Sequence, residues 1–186
     1  MTEQPDIQTS LLGQWSAELS TRTGLPLYVR PVNPDDDSLV ADFFAGLSHD
    51  DLRFRFLTPL ARPSCSLLEA LVAVDHVRTE DFLVFTDIDG CKRLIASAML
   101  AADSSMERAE VAIAVSPEYK NCGVGYTLLG FVARDAAARG IEIIESIECR
   151  DNVSAIALEK EMGFTATSHP DDASLILVRK TLSRSG

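Results

Sequence analysis

The stretch Lys120-Asn121-Cys122-Gly123-Val124-Gly125-Tyr126 decides how the chain is read, because a strand pattern stops just before it and a helical pattern starts within it. Upstream, RAEVAIAVSP (108–117) reads as a strand ended by Pro117. Downstream, Leu128, Leu129, Val132 and Ala136 fall on one helical face, and Gly140 supplies a stop. The first turn of such a helix carries unpaired N–H groups and the positive end of the dipole. Glycines at 123 and 125 remove side chains that would keep a diphosphate from those amides, and Lys120 adds a charge at the mouth. The dinucleotide fingerprint GxGxxG fails, since Leu128 stands where its third glycine belongs. No GxxxxGK[ST] string exists for a P-loop. By themselves the glycines favour a structural turn, and their surroundings reverse that reading.

Around this stretch the chain reads as a single mixed α/β unit. Ile7, Leu11, Leu12, Trp15 and Leu19 form a helical pattern ending at Gly24, so residues 1–24 are expected to be a helical extension and 25–186 the main domain. LPLYVRPV (25–32) is a strand. A helix with acidic residues in its first turn follows, then HDDLRFRFLTPL as a short helix and SCSLLEALVAV as another turn or two. From Asp81 the period shortens: DFLVFTDIDGCKRLIASAML is a hairpin turning at Asp89-Gly90. IEIIESIEC is a strand, Asn152 is expected to cap the next helix, and FTATS and ASLILVRKTL are the last two strands. The expected fold is a mixed, mostly antiparallel central sheet flanked by helices.

Composition excludes several function classes. A formal charge of −11 argues against nucleic-acid binding, which needs clustered Lys and Arg, and is compatible with a cationic acceptor such as an amine. The four cysteines are scattered without CxxC, and His49, His76 and His169 lack ligand spacing, so no metal is expected. There is no GxSxG nucleophile motif. The acidic, polar start is unlike a leader peptide and no apolar run reaches membrane-spanning length, so the expectation is a cytoplasmic protein with no membrane partner.

KNCGVG resembles the [Q/R]-x-x-G-x-[G/A] signature of the GCN5-related N-acetyltransferases (GNAT), with Lys120 in place of Gln or Arg. A second segment, NVSAIALEKEMGF (152–164), is similar to the family's Asn-led helix ending in GF, and strand order matches over roughly residues 26 to 182. VRPVNPDDDSLVADFFAGLSHDDLRFRFLTP and GFTATSHPDDASLILVRKTL further resemble the acetyltransferase domain of bacterial protein-lysine acetyltransferases, the enzymes that silence acyl-CoA synthetases.

The resemblance implies a GNAT fold, acetyl-CoA as cosubstrate without a metal, and transfer of the acetyl group to a primary amine by direct attack in a ternary complex. It implies Glu110 as the catalytic base, with Glu107 as its nearest rival. Ile113 and Val115 would offer backbone groups to the pantetheine arm, and Asn121, Cys122, Gly123, Val124, Gly125 and Tyr126 would seat the diphosphate. Asn152 is either a pantetheine contact or only an N-cap. Many relatives carry a tyrosine acid where this chain has Glu159, which leaves water, Tyr126 or Tyr28 to protonate the departing thiolate. Arg53, Phe54, Arg55 and Phe56 lie in the region that forms the acceptor side, and their alternation also suits a helix with one buried face. The expected acceptor is a protein lysine, with an acyl-CoA synthetase as one protein substrate and homodimerisation allowed. The alternatives are a small amine metabolite and a non-catalytic acyl-CoA sensor or interaction module.

Overall fold

The computed structural model describes residues 16–182. In chain order it has β1 (Ala17–Ser20), β2 (Pro26–Pro31), a 3-10 turn (Pro34–Asp36), α1 (Asp37–Ala45), α2 (His49–Phe56) and α3 (Cys65–Val72). Then come β3 (Thr79–Ile88), β4 (Cys91–Ala102), β5 (Arg108–Val115), a second 3-10 turn (Pro117–Tyr119) and α4 (Val124–Ala138). The chain finishes with β6 (Ile143–Cys149), α5 (Val153–Glu161), β7 (Thr165–Ser168) and β8 (Leu175–Thr181). The strands form one sheet in the order β1-β2-β3-β4-β5-β6-β8-β7. Neighbours are antiparallel except β5 and β6, which are parallel and joined by the α4 crossover that a parallel pair requires.

The period of two along the strands divides the core between the two faces of the sheet. On β3, Phe82 and Val84 pack with Leu128, Leu129, Val132 and Ala136 of α4. Leu83 and Phe85 point the other way, to Val40, Phe43 and Phe44 of α1, Leu52 of α2 and Leu71 of α3. Covered on both faces, β3 reads as a near-continuous apolar run rather than an alternation. Each fully buried Leu, Phe or Val contributes about 1.5–3 kcal/mol. The β3–β4 hairpin turns where expected: Asp89 and Gly90 both have positive φ, 52° and 82°.

The N-terminal expectation is corrected in part. Residues 1–15 lie outside the described residues, so the helical pattern at Ile7, Leu11, Leu12 and Trp15 is not assessed. Leu19, placed on the same helix, belongs instead to β1, which pairs antiparallel with β2 from Ala17↔Val29 to Ser20↔Pro26. Strand pairing has overridden the helical spacing, and Gly24 closes a hairpin turn in which its N–H donates to the Thr21 carbonyl at 2.9 Å. The sheet therefore begins before residue 25. No helix among the described residues is long and apolar enough to cross a membrane.

Candidate active site

The feature that shapes the site is a fork. Strands β5 and β6 pair at only three positions, Arg108↔Ile143, Ala109↔Ile144 and Glu110↔Glu145, and then part. Beyond Glu110, β5 continues through Ile113 to Val115 paired, among the described residues, only with β4, with Ile113 opposite Ala98 and Val115 opposite Ala96. An unpaired inner edge of this kind accepts an added strand-like ligand. Glu110 occupies the apex. Its pKa is raised, first because the protein withdraws water from the carboxyl and then because Glu145 lies beside it, while Arg55 opposes the rise. Glu107 precedes β5, outside the fork, and its carbonyl accepts from Glu142 and Ile143.

At the open end of the fork stands the glycine loop. Asn121 and Gly123 both adopt left-handed φ, 61° and 81°, and Gly123 is the N-cap of α4 with no side chain capping the helix. The first-turn amides thus have neither intrahelical acceptors nor a side-chain substitute. A Cβ on Gly123 would meet Thr21 Cβ at 3.3 Å, and one on Gly125 would meet Leu158 Cδ1 at 3.6 Å. The β1–β2 turn braces the loop: Thr23 Oγ1 donates to the Cys122 carbonyl at 2.9 Å, and Arg22 stacks 4.0 Å over the Tyr126 ring while pairing with Glu161 at 2.9 Å. A bare-backbone turn at the N-terminus of a long helix suits a diphosphate.

Three sequence expectations are corrected here. Lys120 is not free at the mouth, because its Nζ pairs with the buried Asp51 carboxylate at the start of α2. Asn152 stands at the N-cap position of α5 but does not cap with its side chain; its Nδ2 donates instead to Glu148 Oε2 at 2.7 Å. Tyr28 also drops out as a thiolate acid, since it sits on β2, three strands from β5 and thus about 14 Å away. Tyr126 is held at the loop end, beneath Arg22.

The wall opposite β5 carries a carboxyl pair. Burial pushes Glu148 up to about 8, Glu159 adds to the rise, and the Asn152 bond opposes it. Burial likewise lifts Glu159 to about 7 against a hydrogen bond from Ser146 Oγ. Helix α2 crosses the other face and is tied on both sides of the fork. Asp51 holds Lys120 after β5, and Arg53 forms a two-pronged pair with Asp151 after β6, at 2.6 and 3.2 Å.

Sequence reasoning missed Arg22, Asp51, Asp151 and Glu148. Arg22, Asp51 and Asp151 are ordinary charged residues whose partners lie far along the chain, and the surroundings of Glu148 exist only once α5 packs on β6, so no local pattern marks any of them. Arg55 was noticed only as part of an Arg-Phe alternation. Among the described residues no group of three or more His, Cys, Asp or Glu could hold a metal ion.

Residues 48–164 match the family model described as the acetyltransferase (GNAT) family. Acetyltransferase Pat of Mycolicibacterium smegmatis is 28% identical over 147 residues, which covers 78% of this chain and 43% of the longer relative. The solved GNAT domain of S. lividans PAT superposes with a TM-score of 0.82 at 23% identity, covering 97% of this chain and 100% of that one. Spermidine N-acetyltransferase from Vibrio cholerae, solved with CoA and spermine, gives 0.69 at 19% identity over 85% of this chain and 96% of its own. The fork, the glycine-opened helix and the family match agree, and the chain belongs to the GNAT family of acetyltransferases.

Proposed function

We propose that the chain transfers the acetyl group of acetyl-CoA to a primary amine, with Glu110 as the base and a protein lysine as the acceptor. The observation that carries this is the position of Glu110 at the apex of the β5–β6 fork, with the uncapped amides of α4 at its open end. The diphosphate would rest on residues 120–126 and the pantetheine arm would lie along Ile113 and Val115, which brings the thioester toward the apex. Glu110 takes the proton from the attacking amine as the new C–N bond forms, and the C–S bond then breaks to release the thiolate. Asn152, bonded to Glu148, would meet the pantetheine arm from the β6 side. The acidic chain favours a cationic acceptor.

One observation favours a small amine instead. Helix α2 is salt-bridged to both lips of the fork, which narrows the approach on the acceptor face. The test is incubation with acetyl-CoA and either a bacterial extract or a panel of amines, read by mass spectrometry and thiol release against a Glu110→Gln control. Acetylated lysines above control support the first reading, and an acetylated amine without them the second. Acetyl-CoA binding with no transfer to any acceptor would leave a sensor and defeat both.

A further inference from the structure

The Arg55 guanidinium is out of keeping with a purely structural role. Arg53 and Arg55 are two residues apart on α2, so their side chains leave opposite sides of the helix. Arg53 reaches outward to Asp151, whereas Arg55 turns to the sheet, where its Nε and Nη2 are buried with no hydrogen-bond acceptor among the described residues. A buried guanidinium retained for stability would use those donors, since leaving them idle forfeits the compensation for desolvation. Its guanidinium lies 5.0 Å over the Phe56 ring, and α2 packs on β5, where two carboxyls come within its field: Asp81 of β3 and Glu110 of β5 both oppose the fall in its pKa that burial causes. Asp81 is fully buried and accepts from Ser97 Oγ at 2.9 Å through Oδ1, while its Oδ2 is also without a partner.

The groups around Glu110 can be named element by element. Its neighbour on β4 is Ala101, which carries no charge. Glu145 on β6 lies directly beside it and disfavours its ionisation. The cations near Glu145 are Arg179 of β8, at 2.9 Å, and Arg108 of β5, at 3.9 Å, and both are directed at that carboxylate. Helix α2 contributes Arg55, the group whose field works against burial and Glu145 together. A base at this apex is useful only while it is ionised.

We propose that Arg55 is a positioning residue for the transfer reaction: buried beneath α2 on the sheet side that carries Asp81 and Glu110, its guanidinium favours the charged form of the Glu110 carboxylate that accepts the amine proton. This rests on the reading of Glu110 as the base. It also gives α2 a second connection to the site, because the helix that clasps Lys120 also carries the charge that sets the base.

The test is a carbon-13 titration of glutamate side-chain carboxyls in the intact protein, with the Glu110 resonance assigned by its loss in Glu110→Gln. In Arg55→Gln the Glu110 midpoint should rise by about one pH unit, the lower end of what removing a neighbouring opposite charge does. Arg55→Lys should keep the midpoint near that of the unaltered protein, and Glu145→Gln should lower it. Where Arg55→Gln alone fails to fold, the double change with Asp81→Asn removes the stranded buried carboxylate, and a smaller rise is expected because a negative charge is lost with the positive one. An unmoved Glu110 midpoint in a folded Arg55→Gln or double variant overturns the inference. The outcome is separable from that of the proposed function: undiminished transfer by Glu110→Gln removes the base assignment, whereas an unmoved midpoint beside an inactive Glu110→Gln removes only the role of Arg55.

Discussion

Replacing Gly123 and Gly125 one at a time with alanine separates the two jobs a glycine pair can do. Gly123 has φ of 81°, where an L side chain costs about 1–2 kcal/mol. Its added Cβ would also press on Thr21 Cβ at 3.3 Å, a contact that the β1–β2 turn can relieve only by loosening its hold on the loop. Gly125 lies within α4, its Cβ would make ordinary contact with Leu158 Cδ1 at 3.6 Å, and alanine in a helix gains up to about 1 kcal/mol over glycine. Gly123→Ala should therefore lower stability by about 1–2 kcal/mol, or about 2–8 °C in Tm for a domain of this size. Gly125→Ala should be neutral or slightly stabilising. Urea unfolding of the two variants measures the difference, and calorimetric titration with acetyl-CoA measures its consequence. Because the loop amides are displaced only in Gly123→Ala, that variant should bind about tenfold more weakly, while Gly125→Ala binds as before. A Gly123→Ala protein as stable as Gly125→Ala would refute the backbone argument. Unchanged acetyl-CoA affinity in a destabilised Gly123→Ala would refute the diphosphate seat.

Other outcomes follow from the same geometry. Glu159 is raised from 4.5 to about 7 in the folded state, so the native protein holds a proton that the unfolded chain releases above pH 4.5. Its contribution, at most about 3 kcal/mol, is present below that pH and is lost as pH rises toward 7. Glu159→Gln should accordingly flatten the decline in urea stability between pH 5 and 8. Lys120→Ala strands the Asp51 carboxylate and unties one side of α2, so hydrogen exchange in α2 should quicken; unaltered exchange would show that the pair does not hold the helix. Leu128→Ala, at a fully buried position facing the sheet, should cost about 2–5 kcal/mol by denaturant titration and leave the glycine loop in place.

The sequence was most informative where a structure depends on near neighbours. Strand and helix periods located nearly every described element. The Asp89-Gly90 turn was legible because few residue pairs tolerate positive φ in sequence. The glycine loop was legible for the same reason, and the resemblance then supplied its expected ligand. Leu19 shows the limit: its spacing from Trp15 fitted a helix, but pairing with β2 made it a strand. Asn152 shows another, since its type and place suited a cap, yet a part-buried glutamate four residues upstream claimed the side chain.

What the sequence by itself determined was most of the local elements, the backbone conformations that only a few residues permit, and the motifs that carry the family resemblance. The tertiary structure alone decided how the charged side chains are used: Lys120 for Asp51, Arg53 for Asp151, and Arg55 buried without a hydrogen-bond acceptor among the described residues. The physical reason is range. A dihedral preference acts within a few residues, whereas these pairs join residues 69 and 98 positions apart, which meet only once the sheet and α2 have folded together.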